Sequence, residues 1–178
     1  MISRWYPNIP YSPLFPIVFK KEKNRIKKYL KKSVVEHIGS TSVPGLDGKG
    51  YIDLMISVPK NMVKTTKNTL ETKLGYEYKK DASIEGKRLF FKRIAPSEYS
   101  KETYFHLHLT SLNSEDYRQA ILFRDFLIKN PKYFKKYSDI KKIASKEAQK
   151  AKNRKEAKRI YKEIKNPLIR EILQKRSS

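Results

Sequence analysis

The chain has no cysteine among its 178 residues. A disulfide framework and a thiolate zinc site are therefore excluded. No apolar run approaches the roughly 18 residues that span a bilayer. Nothing near Met1 has the apolar core of a secretion signal. The expectation is a cytoplasmic protein without membrane attachment. Acidic residues are also scarce, 18 against 41 Lys and Arg, which leaves a net charge of +23. No internal repeat is evident.

What is present suffices for a folded protein. Apolar residues make up 38% and aromatics 12% of the chain. A chain of this length can bury a sizeable core and reads as a single domain, 1–178. The positive field attracts polyanions, nucleic acid and phosphorylated ligands alike. Lysine dominates that field and is spread almost everywhere. Solvated helix faces account for such a pattern as readily as a nucleic-acid surface does, and any nucleic-acid binding is expected to be non-specific.

The order of elements follows from periodicity and breakers. Residues 1–16, rich in Pro, Tyr and Trp, suggest an ordered arm. Ile17 to Leu30 carries Phe19, Ile26 and Leu30 at helical spacing. Val34–Ile38 and Tyr51–Val58 read as strands, and Pro44, Gly45 and Gly48 keep any helix between them short. Met62–Leu74 reads as a helix, followed by a strand signal through Tyr76 and Tyr78. Arg88–Ile94 and Tyr104–Thr110 read as further strands. Asn113-Ser114-Glu115-Asp116 marks a helix start, with an oxygen-bearing cap and acids in the first turn. That helix, to Ile128, is apolar on several sides, as a buried helix would be. Asn130-Pro131 and Asn166-Pro167 each read as a helix start with Pro in the first turn. From Lys132 onward 17 basic residues face 5 acidic ones, a net of +12. The mixed order predicts α+β, a small mixed sheet flanked by helices, with residues 131–178 as a basic helical extension packed on the core.

Chemistry concentrates in His37-Ile38-Gly39-Ser40-Thr41-Ser42-Val43-Pro44-Gly45-Leu46 and Tyr51-Ile52-Asp53-Leu54-Met55-Ile56. A strand ends in a Gly-Ser turn, and the next strand carries a carboxylate thirteen residues after the serine. Small residues let backbone N–H groups approach a phosphate, and a carboxylate can hold a metal ion. These residues resemble the GrpB-like family. Tyr11-Ser12-Pro13 with Phe15, Pro16 and Phe19, the run Arg88–Arg93, His106-Leu107-His108 and Phe123–Leu127 resemble its other motifs. The resemblance implies a nucleotidyltransferase-like fold more firmly than a reaction. In that superfamily a Gly-Ser turn precedes two alternating carboxylates, with a third on a neighbouring strand. Asp53 fills the first position, but Met55 fills the second.

The period of two places Asp53, Met55 and Ser57 on one face of their strand, with Ile52, Leu54 and Ile56 on the other. By the same rule His106 and His108 share a face. The candidate catalytic residues are Asp53, His106 and His108. The same three form a candidate His₂–carboxylate set for a divalent ion, Mg²⁺ or a transition metal. His37, Gly39, Ser40, Thr41, Lys49 and Arg88 are candidate phosphate contacts. Each has a plain alternative: a turn glycine, a helix cap, a buried ion pair or a solvated charge. Arg124-Asp125, in an otherwise apolar helix, is expected to tie helix to sheet. Three readings follow: a protein of nucleotidyltransferase fold binding a nucleotide or other phosphorylated small molecule, a polyanion-binding module, or a His/Asp metal-dependent enzyme. Met55 predicts weak or absent nucleotidyl transfer.

Overall fold

The structure, a computed structural model, describes residues 6–175. Residues 1–5 of the predicted arm lie outside that range. Five strands form one sheet in the order β1-β2-β5-β4-β3. They are β1 (Val34–Ile38), β2 (Ile52–Val58), β3 (Glu77–Tyr78), β4 (Arg88–Ala95) and β5 (Thr103–Ser111). β2 and β5 run parallel at the centre, and the other neighbours are antiparallel. This is the α+β mixed sheet expected from the element order.

One sheet face is covered by α1 (Phe15–Tyr29) and α2 (Val63–Thr72). Pro16 sits in the first turn of α1, where its missing N–H costs nothing. Phe15, Val18, Glu22 and Ile26 form the buried stripe of α1. They meet Ile52, Leu54, Ile56 and Val58 of β2 and Phe105, Leu107 and Leu109 of β5 in one apolar core. Each such side chain contributes about 1.5–3 kcal/mol by leaving water. Buried Glu22 is satisfied by Arg25, Arg93 and the hydroxyl of Tyr76.

The opposite face is covered by α3 (Glu115–Lys129), α4 (Pro131–Ala148) and α5 (Arg154–Gln174). Ser114 caps α3, its hydroxyl accepting from the Tyr117 amide. Only Phe126 and Leu127 of α3 are buried, fewer than its apolar sequence suggested. Arg124 behaves as expected: it donates to Glu36 and to the His37 carbonyl and holds α3 against β1. Val43 and Leu46, from the turn after β1, pack with Tyr137 of α4 and with Leu168 and Ile172 of α5. The basic helices are thus docked on the sheet through the same turn that carries Gly39 and Ser40.

Asn166-Pro167 does not start a helix. Pro167 lies inside α5, which is capped by Asn153, whose side chain accepts from the Glu156 amide while the Glu156 side chain accepts from the Lys152 amide. A Pro inside a helix costs about 3 kcal/mol. Here burial of Leu168 and Ile172, immediately after it, opposes that cost. No helix of the described residues is long and apolar enough to cross a membrane.

Candidate functional site

The site is assembled where β1 ends and β2 begins. Gly39 follows β1 with φ +71°, a conformation that L side chains rarely adopt. A Cβ there would overlap the Asp53 carboxylate and stand 2.9 Å from its Cγ. The glycine therefore lets Asp53 lie directly against the turn. A Cβ on Gly48 would collide with Ser40 Oγ and lie 3.0 Å from Lys141 Nζ. Serine hydroxyl and lysine ammonium thus flank one glycine, and neither could stand there beside a larger residue.

Parallel register sets Asp53 beside His106 and Met55 beside His108. Asp53 Oδ1 is 3.4 Å from His106 Nδ1. The carboxylate is about a quarter exposed. Burial works to raise its pKa, but the His106 hydrogen bond and the charges around it prevail and hold it below the usual value. The His106 ring meets Tyr51 and Phe90 edge-on. His108 is deeper. Burial, helped by the Arg88 charge, pushes its pKa down to about 4, and its buried Nδ1 has no hydrogen-bond partner among the described residues. It is a neutral imidazole at neutral pH, so one of the expected catalytic pair is paired and the other is an unpartnered polar atom.

Three expected phosphate contacts lie elsewhere. His37 belongs to the α1 face: it stacks on Phe19 with ring centroids 4.4 Å apart, and its Nε2 meets Thr41 Oγ1 at 3.0 Å. Thr41 is buried and donates to the Tyr51 carbonyl. Alternation along β1 sends His37 to the face opposite Asp53, and the His37–Thr41 bond braces the turn instead of facing a ligand. Arg88 shares the site face but pairs with Thr110, at the far end of β5, and approaches Asp116 at 3.7 Å. The β4 residue opposite His106 is Lys92.

Lys49 does belong to the site, over the rings of Tyr6 at 4.9 Å and Tyr51 at 5.0 Å. The larger surprise comes from the helices. Lys141 of α4 is 3% exposed and donates to the Asp47 carbonyl. Burial, helped by the charges of Lys165 and Lys49, lowers its pKa to about 7. Burial and Lys49 likewise bring Lys165 of α5 down to about 8. Lys49 is shifted down too, chiefly by burial. Among the described residues, the ion pair of Asp53 is with His106 and that of Asp47 with Lys142, so none of these three lysines has a carboxylate within 4 Å. A signal for them exists in the sequence. The pentapeptides Tyr137-Ser138-Asp139-Ile140-Lys141 and Tyr161-Lys162-Glu163-Ile164-Lys165 share the pattern Tyr, any residue, acid, Ile, Lys. Four residues is one helical turn, so in each helix Lys lies over the Tyr ring, at 5.7 Å in α4 and 5.6 Å in α5.

Comparisons with known proteins fit this architecture. The GrpB protein family matches residues 9–175. The chain belongs to the GrpB family. A UPF0157 protein of Halalkalibacterium halodurans is 29% identical over 94% of this chain and 80% of its own length. The UPF0157 protein YqkA of Bacillus subtilis is 30% identical over 75% of this chain, which spans only 38% of that longer protein. The crystal structure of GrpB from Enterococcus faecalis superposes with a TM-score of 0.68 at 25% identity, covering 91% of this chain and 96% of that one. The Cid1 poly(U) polymerase, solved bound to MgATP, superposes with a TM-score of 0.53 at 14% identity, over 79% of this chain and 45% of its own. The fold is therefore nucleotidyltransferase-like.

The divalent metal that this fold implies can be tested against the donors present. Met55 is 1% exposed, and its thioether is a soft donor. Asp53 is already engaged by His106. Among the described residues no three His, Cys, Asp or Glu side chains converge to hold a metal ion. The His₂–carboxylate set expected from sequence is not assembled, because His108 lies one rung further along the strand than His106. The residues do not fit a two-metal centre.

Proposed function

We propose that this GrpB-family chain binds a nucleotide or another phosphorylated small molecule in the cytoplasm, as one domain, at the Gly39-Ser40 turn facing Asp53, His106 and Lys49. The observation that carries this reading is the gathering of Lys49, Lys141 and Lys165 near the Asp53 carboxylate, Lys141 buried and the other two half-buried, with no ion pair to any of the three among the described residues. Desolvated ammonium groups are costly unless an anion reaches them. An incoming phosphate satisfies them together with Ser40. Arg154 and Lys158, at the start of α5, add to the positive potential felt at Lys49 and Lys92. The MgATP-bound polymerase of the same fold supports a nucleotide as the ligand. Met55 argues against two-metal transfer, since a buried thioether replaces the carboxylate that would share the ions.

The test is a thermal-shift titration with ATP, CTP, GTP, UTP and pyrophosphate at low salt. A ligand at 100 times its Kd stabilises by about 2.7 kcal/mol, which in a chain of this size raises the melting temperature by roughly 5–10 °C. No shift with any of them at saturating concentration contradicts the proposal. A parallel assay follows radiolabelled nucleotide onto RNA or a small acceptor. We expect no turnover, and turnover lost in Asp53→Ala would prove that expectation wrong.

Non-specific polyanion binding is a second reading. It rests on the exposed Lys155, Arg159 and Lys162 of α5. It predicts affinity for unrelated DNA and RNA that falls about tenfold or more between 50 and 200 mM salt. Sequence preference that survives high salt would contradict it.

A further inference from the structure

Resting on the phosphate-site reading, we infer that this site holds a polyphosphate without a divalent metal, the ammonium groups of Lys49, Lys141 and Lys165 supplying the charge that metal ions supply in the fold's two-metal centres. Three independent features converge. The donor set for a metal is spoiled twice: Asp53 is bound to His106, and the alternate position is a buried thioether. The lysines come from three separated segments, the loop before β2, α4 and α5, yet Lys49 is close enough to lower the pKa of both Lys141 and Lys165, and Lys165 that of Lys141. They also have the means to stay in place without an acid. Lys49 rests on Tyr6 and Tyr51, Lys141 on Tyr137 and the Asp47 carbonyl, and Lys165 on Tyr161. Aromatic faces hold a cation by its quadrupole and leave its N–H donors for an anion.

The arrangement is costly for the free protein and suits an occupied one. Lys141 is 3% exposed, and an ammonium so placed loses its hydration without gaining a counter-charge. Gly48 is the device that admits it, because a Cβ at that residue would crowd both Lys141 Nζ and Ser40 Oγ. A phosphate beside Gly48 would therefore accept from Ser40 and from Lys141 at once. Further phosphates of the same chain would extend towards Lys49 and Lys165. A free polyphosphate is matched to this field, whereas its Mg²⁺ complex arrives with much of its charge cancelled and adds a cation to a cationic site.

Calorimetric titration of pyrophosphate and of ATP into the full chain, in excess EDTA and again in excess Mg²⁺, separates the possibilities. We expect binding in EDTA, weakened about threefold or more by Mg²⁺ as the free ligand is withdrawn. Lys141→Met and Lys165→Met, checked by circular dichroism to be folded, each weaken the EDTA affinity about tenfold, equivalent to about 1.4 kcal/mol. Lys165→Arg keeps most of it. Binding that appears only with Mg²⁺ and is abolished by Asp53→Asn overturns the metal-free inference while leaving the phosphate site standing. Binding in neither buffer overturns the phosphate site itself.

Discussion

The two faces of the sheet obey different rules. Under α1 and α2, β2 and β5 present Ile52, Leu54, Ile56, Phe105, Leu107 and Leu109, all buried and all apolar. Under α3, α4 and α5, the alternate residues of the same strands are Asp53, Met55, Ser57, His106, His108 and Thr110. The hydroxyl of Ser57 and the Nδ1 of His108 are buried there without hydrogen-bond partners among the described residues, and the helices over this face add Lys141, 3% exposed and without an acid to pair it. The first face is filled mainly by apolar packing, and its buried Glu22 and His37 are hydrogen-bonded. The other spends stability on groups that water or a ligand would satisfy better, which is the usual relation between a site and its scaffold. The β strands thus carry structure and chemistry on alternate residues.

The comparison is broken most severely by forcing chemistry into a sealed position. Met55→Asp restores the carboxylate that the fold's active members carry, but it buries that group at a position 1% exposed. A shift of about three pKa units at such a site corresponds to about 4 kcal/mol. The expected outcome in urea denaturation is a loss of that order, with no gain of nucleotidyl transfer. A stable, active Met55→Asp protein would show that the site face is open to water at this position.

Leu107→Ala, on the other face, should cost about 2–5 kcal/mol through lost burial and the cavity left behind. Pyrophosphate affinity, measured below the melting temperature, should stay within about twofold, because Leu107 faces away from the site. Lost affinity in a folded Leu107→Ala protein would mean that the faces are coupled.

Acid titration sharpens the contrast further, since each face holds one histidine kept neutral. Burial is the main cause for both His37 and His108, and each falls from 6.5 to about 4. Between those values the unfolded chain binds more protons than the native one, so stability rises with pH through that window and is complete above about 6.5. For His37, 9% exposed, the full effect is about 3 kcal/mol. Melting temperatures measured from pH 4 to 7 should climb accordingly, and less steeply in His37→Phe, where stacking on Phe19 is retained. An unchanged slope in that variant would remove His37 from the account.

Much of this was legible in the chain. The strands from Val34, Tyr51, Arg88 and Tyr104 follow from alternation and from breakers at Pro59 and Gly75, and the shared face of His106 and His108 follows from the period of two, while their placement beside Asp53 comes from the fold that the resemblance implies. What escaped depends on long-range placement. The orientation of His37 turns on which way β1 leaves its strand, and the neighbour that decides it is Val35 in the apolar core. Pro167 imitates a helix start so well that only packing of Leu168 and Ile172 shows otherwise. Lys141 and Lys165 stand among the chain's 41 Lys and Arg, and charge composition cannot single out one buried and one half-buried lysine. Only the repeated Tyr-to-Lys spacing marks them. That signal gains meaning once α4 and α5 are seen to converge on the Gly48 turn.

The most direct test is the melting temperature of the Lys141→Met, Lys165→Met double variant, without and with saturating pyrophosphate, beside the parent protein. If these lysines are kept for a phosphate ligand at the expense of the fold, the free variant melts at or above the parent. The gain is up to about 1 kcal/mol, as apolar replacement of buried charge allows, and the pyrophosphate shift disappears. A variant that melts well below the parent and still responds to pyrophosphate would contradict the account, because the lysines would then be props of the structure and the ligand would sit elsewhere.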